Sequence, residues 1–111
     1  MNERQRFCTF YLEPYFFGVE VEAVQEVLVG QDITRVPLAH RSVSGVINLR
    51  GQIVTVIDLR SRLEMADRES AVDPTFIVTN AMGEPVSFLV DRADDVVEVN
   101  TEDFEPTPRT V

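Results

Sequence analysis

Residues 45–60 read GVINLRGQIVTVIDLR. Two runs rich in β-branched residues flank Arg50-Gly51-Gln52: Val46 and Ile47 lead in, and Ile53, Val54, Val56, Ile57 and Leu59 lead out. Branching at Cβ restricts χ1 and suits a pleated, half-buried surface better than a helix. A short loop containing glycine between two such runs predicts a β-hairpin. Gly51 has no Cβ and takes a positive φ without penalty, so it can close the turn. Asn48, Arg50 and Asp58 set polar side chains into the most hydrophobic part of the chain. A buried polar group needs a partner, and a charged one more so. Either these three satisfy one another and the backbone, or they face a surface that something else binds.

Working toward the N-terminus, residues 38–44 read as an irregular linker, and residues 32–36 as a short strand ended by Pro37. Val21, Val24, Val27 and Leu28 are spaced at three and four, which predicts one face of a short helix stopped by Gly30. Residues 7–12 and 16–21 alternate as strands do, around a turn at Glu13-Pro14-Tyr15, and predict a first hairpin. Working toward the C-terminus, residues 59–63 have the length of one helical turn and residues 65–74 are a polar loop. Residues 75–79 and 86–90 predict a further hairpin around Gly83. Residues 91–95 are charged, Val96, Val97 and Val99 predict another strand, and the tail TEDFEPTPRTV reads as extended or loose. Seven or eight short strands with one short helix make a mostly β, barrel-like domain.

The chain has 111 residues, so one domain is the prior, and 44% hydrophobic with 26% charged residues is the balance of a folded globular protein. The formal charge is −9, which repels phosphate backbones and anionic lipid. Neither nucleic-acid binding nor direct membrane insertion is expected. No apolar run approaches the roughly 18 residues of a membrane span, and no hydrophobic leader follows the charged MNERQRF. A single cysteine, Cys8, allows no internal disulfide and fits a reducing cytoplasm; within an apolar strand it reads as an inert thiol. His40 is the only histidine and has no Cys or Asp at ligand spacing, so no metal or other cofactor is expected. There is no P-loop, no G-x-G-x-x-G and no Ser-His-Asp set. Asp94-Asp95 and Glu102-Asp103 are paired carboxylates in acidic, turn-like segments, which a solvated face explains better than acid–base chemistry. The expectation is a binding protein, not an enzyme.

Several stretches together resemble the CheW family. FFGVEVEAVQEVL at residues 16–28 is similar to its opening pattern. Thr34-Arg35-Val36-Pro37 resembles the segment that follows. Asn48-Leu49-Arg50-Gly51 and Ile57-Asp58-Leu59-Arg60 resemble its NLRG turn and IDLR-type element, and residues 76–90 its later hairpin. The resemblance runs over nearly the whole chain. It implies one CheW-like domain over 1–111, built of two small intertwined SH3-like β-barrels with a short helix. About 7–65 would form the first barrel with the central hairpin, and about 74–105 the strands of a second, incomplete barrel. Family members continue beyond the position of Pro108, so the second half is expected to be truncated and the chain to complete itself as a homo-oligomer by strand exchange. The implied function is that of a cytoplasmic adaptor. It would couple the cytoplasmic tip of methyl-accepting chemoreceptors to the regulatory domain of a CheA-type histidine kinase. A small ligand-binding β-barrel, or a self-assembling variant without receptor coupling, are the alternatives.

The candidate partner-binding residues are Arg50, Asn48, Leu49, Gly51, Val27, Val36, Val46, Asp58, Val90 and Asp91. The resemblance puts Arg50 at a receptor-facing groove, where an arginine beside apolar surface suits an interface hot spot. Against this, Arg50 has a structural reading in which it pairs with Asp58 or caps carbonyls. Asn48 and Gly51 have turn-forming readings of their own. Val27, Val36 and Val46 have core readings, and Val90 and Asp91 a strand-end reading. Asp58, Arg60 and Arg62 read either as a surface charge cluster or as a solvated helix end.

Overall fold

The predicted central hairpin is present as β4 (Val43–Leu49) and β5 (Gln52–Asp58), which pair antiparallel from Val43↔Ile57 to Leu49↔Gln52. Residues 4–68, 73–80 and 83–100 are described by the computed structural model. The other elements are β1 (Arg4–Leu12), β2 (Tyr15–Glu20), β3 (Val24–Val29), α1 (Leu59–Arg62), β6 (Thr75–Thr79), β7 (Val86–Val90) and β8 (Arg92–Asn100). They form two sheets, one ordered β2-β1-β8 and the other β3-β6-β7-β5-β4. The architecture is mostly β with one short helix, as expected. Neither sheet is continuous in sequence: β6 pairs with β3, β7 runs parallel to β5, and β8 pairs with β1. The tail from residue 101 onward lies outside the described residues. No described helix is long and apolar enough to cross a membrane.

β6 and β7 are the shared wall between two cores. Phe76 and Val78 on β6 and Leu89 on β7 pack with Ile47, Leu49, Val54 and Val56. The intervening Ile77, with Val90, faces the opposite way, onto Phe10 and Leu12 of β1, with Phe17, Val19 and Leu59 beside them. All five residues of β6 are therefore buried. A strand covered on both faces loses the in/out alternation, which is why TFIVT reads as a continuous apolar run. Within the wall, the Ser87 hydroxyl is buried without a hydrogen-bond partner among the described residues.

The helix expected around residues 21–28 is instead a 3-10 turn, Val21–Ala23, followed by β3. A bulge between Val24 and Glu26 explains the misleading spacing. One extra residue puts Val24 and Val27 on the same face though they are three apart, and that mimics a helical period. Four valines in nine residues also suit a strand better than a helix. The predicted strand at 32–36 is reduced to a single bridge, in which Thr34 and Val46 exchange two backbone hydrogen bonds of 2.8 Å. This bridge joins the chain leaving one edge of the five-stranded sheet to its opposite edge, and so curls the sheet toward closure. Gly45 makes it possible. It sits at φ 145°, and a β-carbon there would be driven into the Thr34 carbonyl and the Ile33 side chain.

Gly45→Ala is expected to destabilise the fold by more than about 2 kcal/mol, because both the left-handed backbone and the bridge must yield. Chemical denaturation against the wild-type chain checks this.

Candidate partner-binding surface

At the β4–β5 tip, Arg50 and Gly51 both take positive φ, 51° and 87°. With Leu49↔Gln52 as the last pair, this is a two-residue loop of the I′ kind, whose twist matches the flanking strands. Asn48 Oδ1 accepts the Gly51 N–H at 2.8 Å and fixes the loop from the side. The left-handed backbone at Arg50 aims its side chain across the barrel to β3. There the guanidinium makes a bidentate pair with Glu26: Nη1 donates to Oε1 at 3.2 Å and Nη2 donates to Oε2. Arg50 thus does not pair with Asp58, because the curl of the sheet brings β3, and not the far end of β5, to the hairpin tip. Each partner favours the charged form of the other. The hydrogen bond from Arg50 holds the Glu26 carboxyl below its ordinary value of 4.5, and Glu26 raises the Arg50 guanidinium. Arg50 remains 68% exposed even so. Ile53, opposite Asn48 in the ladder, is 63% exposed.

A second ion cluster lies inside. Asp91 is buried at the end of β7, and both its oxygens are engaged. Oδ2 accepts from Arg60 Nη1 at 2.8 Å and from the Glu13 N–H at 2.7 Å, while Oδ1 accepts from Arg68 Nε at 2.9 Å. Arg60 also donates to the carbonyls of Glu13 (3.0 Å) and Ala66 (2.7 Å). Asp58 caps α1 by accepting the Arg60 N–H at 3.0 Å, and its Oδ1 also lies 3.4 Å from Arg68 Nη2. Asp58, Arg60 and Arg62, read from the sequence as either a surface charge cluster or a solvated helix end, are therefore divided. Arg60 is only 8% exposed and serves the interior, while Arg62 faces solvent. A guanidinium can be buried here because a carboxylate and two carbonyls receive it.

The ten candidate residues fall into three places. Asn48, Arg50 and Gly51 form the tip, with Val27 next to Glu26 on the exposed edge strand and Val46 half-buried at the bridge to Thr34. Val36 and Asp58 line a separate cleft on the other side of β4. Leu49, Val90 and Asp91 are interior and offer no surface of their own. Glu26, Arg68 and the Glu13 backbone were not anticipated. A charged Glu26 interrupting a run of valines was the one available signal. Among the described residues, no group of three or more His, Cys, Asp or Glu is placed to hold a metal ion.

A family model described as the CheW-like domain matches residues 6–111. The chain belongs to the CheW-like domain family. Similar relatives are the chemotaxis protein CheW of Rhizobium meliloti, 37% identical over 107 residues, and that of Bacillus subtilis, 32% identical over 107 residues. Each match covers 96% of this chain and 69% of the relative. Among solved structures, the scaffolding protein TtCheW from Thermoanaerobacter tengcongensis matches with a TM-score of 0.90 at 28% identity. That match covers 98% of this chain and 75% of the other.

Two outcomes follow for this CheW-like domain. In Arg50→Ala the titration midpoint of the Glu26 carboxyl, read by NMR, rises toward 4.5. The sign follows from linkage: a depressed carboxyl contributes stability above its unfolded value, and that contribution is lost as pH falls through the folded one. Asp91→Ala leaves two poorly hydrated guanidiniums without their acid and is expected to cost about 3–5 kcal/mol in urea denaturation.

Proposed function

We propose that this chain is a cytoplasmic adaptor that couples chemoreceptors to a CheA-type histidine kinase, acting by binding and not by turnover. The observation that carries the proposal is the family match over residues 6–111. Relatives named as chemotaxis proteins and a structural neighbour described as a scaffolding protein support it. The geometry adds a suitable surface. Arg50 is paired to Glu26 yet still exposed, and the strands that flank it carry the exposed apolar side chains Ile53 and Val27. A preorganised arginine next to apolar side chains loses little entropy on binding, which is the character of an interface anchor. In this proposal Asn48, Gly51 and Val46 shape the tip that meets the receptor, while Val36 and Asp58 lie in the separate cleft beyond β4. Leu49, Val90 and Asp91 act only by holding the scaffold. A receptor that changes shape against such a tip would shift the kinase between states it already populates.

Self-assembly is the second reading, favoured by exposed Val27 and Val29 on β3, an edge strand whose outer side is unpaired among the described residues. Its mark is a solution mass above that of one chain by light scattering. A ligand-binding barrel has less support, since the concave side of the five-stranded sheet is filled by Ile47, Val54, Val56, Phe76 and Val78.

Arg50→Ala is expected to weaken binding of a chemoreceptor cytoplasmic tip by about tenfold or more, a hot-spot loss. Binding of a CheA-type regulatory domain should stay unchanged. Calorimetry with the two partners in turn reads both. Loss of kinase binding alone would reassign the residue to that contact, and retention of both would return Arg50 to a purely structural role.

A further inference from the structure

The chain has 19 acidic and 10 basic residues, yet the excess of acids does not give every arginine an ion-pair partner. Among the described residues only Arg6, Arg35, Arg41 and Arg62 form no ion pair. Three of these four border one region. A cleft of about 500 Å³ is lined by Arg35, Val36, His40, Arg41 and Ser61, among others. Its neighbour, about 330 Å³, is lined by His40, Arg41, Ser61 and Arg62, with Glu64. The shared wall makes the two clefts one surface, formed by the loop before β4 and by α1. That surface is pinned in place. The Asp58 N–H donates to the Ser42 carbonyl at 2.8 Å, the Ser61 hydroxyl to the Arg41 carbonyl at 3.4 Å, and the Ser42 N–H to His40 Nδ1 at 3.1 Å. Of the acids nearby, Asp58 is committed to Arg68, which leaves Asp67 and Glu64 against three arginines.

The same loop carries the most exposed apolar side chain among the described residues. Leu38 is fully exposed and sits at φ 63°, a left-handed backbone that residues with a Cβ seldom adopt. Val36 and Leu63 are also exposed. A strained, projecting leucine flanked by arginines is poor surface for a solvated loop and good surface for an interface, where arginine is enriched and pairs carboxylates bidentately.

We infer that the loop of residues 35–41, together with α1, docks an acidic protein segment that carries an apolar side chain to meet Leu38. The inference rests on the reading that this chain works by binding proteins, and it adds a second face distinct from the Arg50 tip. A free anion is the poorer occupant. The arginines line open clefts and do not converge on one enclosed point, and an anion leaves Leu38 without a role.

The test titrates the isotope-labelled chain with three probes: a short peptide of glutamate and leucine, the same peptide with lysine for glutamate, and inorganic phosphate. The glutamate peptide is expected to shift the amides of residues 35–41 and 61–64, less so as salt is raised. Arg35→Glu with Arg41→Glu should weaken that peptide by about tenfold or more and make the lysine peptide the better ligand. Leu38→Ala should weaken binding without changing charge preference. These side chains are exposed, so equal melting temperatures serve as the folding control. Equal shifts from phosphate or the lysine peptide, or shifts confined to other residues, overturn the inference. If a CheA-type domain binds the wild-type chain while the glutamate peptide does not, only this second face falls. If neither binds, the adaptor reading falls with it.

Discussion

The carboxylate of Asp91 joins parts of the chain that are remote in sequence. It receives the first hairpin through the Glu13 N–H, α1 through Arg60, and the loop after α1 through Arg68. The Asp91 N–H donates to the Tyr11 carbonyl at 3.0 Å, which ties β1 to the end of β7. The three-stranded sheet is thereby held against the wall of the five-stranded one at a single polar point. Apolar packing alone, through Phe10, Leu12, Ile77 and Val90, is non-directional and would tolerate sliding. A buried carboxylate with both oxygens engaged tolerates little, since any shift leaves a charge without its partner.

Closure of the five-stranded sheet rests on two smaller constraints with the same logic. The Thr34–Val46 bridge draws the chain beyond one edge onto the opposite edge, and it needs the bare backbone of Gly45. Arg50 and Glu26 complete the closure from the hairpin tip. Arg50 is largely exposed, so the pair adds little stability, and its consequence is orientation: it holds a cation at the hairpin tip. In the proposed adaptor role this is an advantage, because an anchoring side chain would be oriented before a partner arrives.

The distribution of arginines follows from these constraints. Arg60 and Arg68 are spent on the interior, and Arg50 is shared between closure and surface. Arg35, Arg41 and Arg62 remain uncommitted on a surface whose apolar side chains face solvent. The overall negative charge therefore hides a local reversal, and local fields, more than the total, select partners.

Much of the fold was legible in the residues. Alternation and β-branching marked the strands, and Gly51 marked the turn, where Asn48 supplies the side-chain acceptor. The turn of α1 was legible as a short run after Asp58, although its cap by Asp58 was not. These features depend on neighbours within a few positions or directly across a turn, and the sequence states such neighbours explicitly. At β3 the local rule misled, because one bulge residue turned a strand's spacing into a helix's. What only the tertiary structure decided is which charges meet. Arg50 finds Glu26 24 positions away and not Asp58, and Arg60 finds Asp91 31 positions away instead of facing solvent. Those pairings depend on how far a sheet curls and on which strand lands beside which. Curl and strand order are properties of the packed whole, and no single segment carries them.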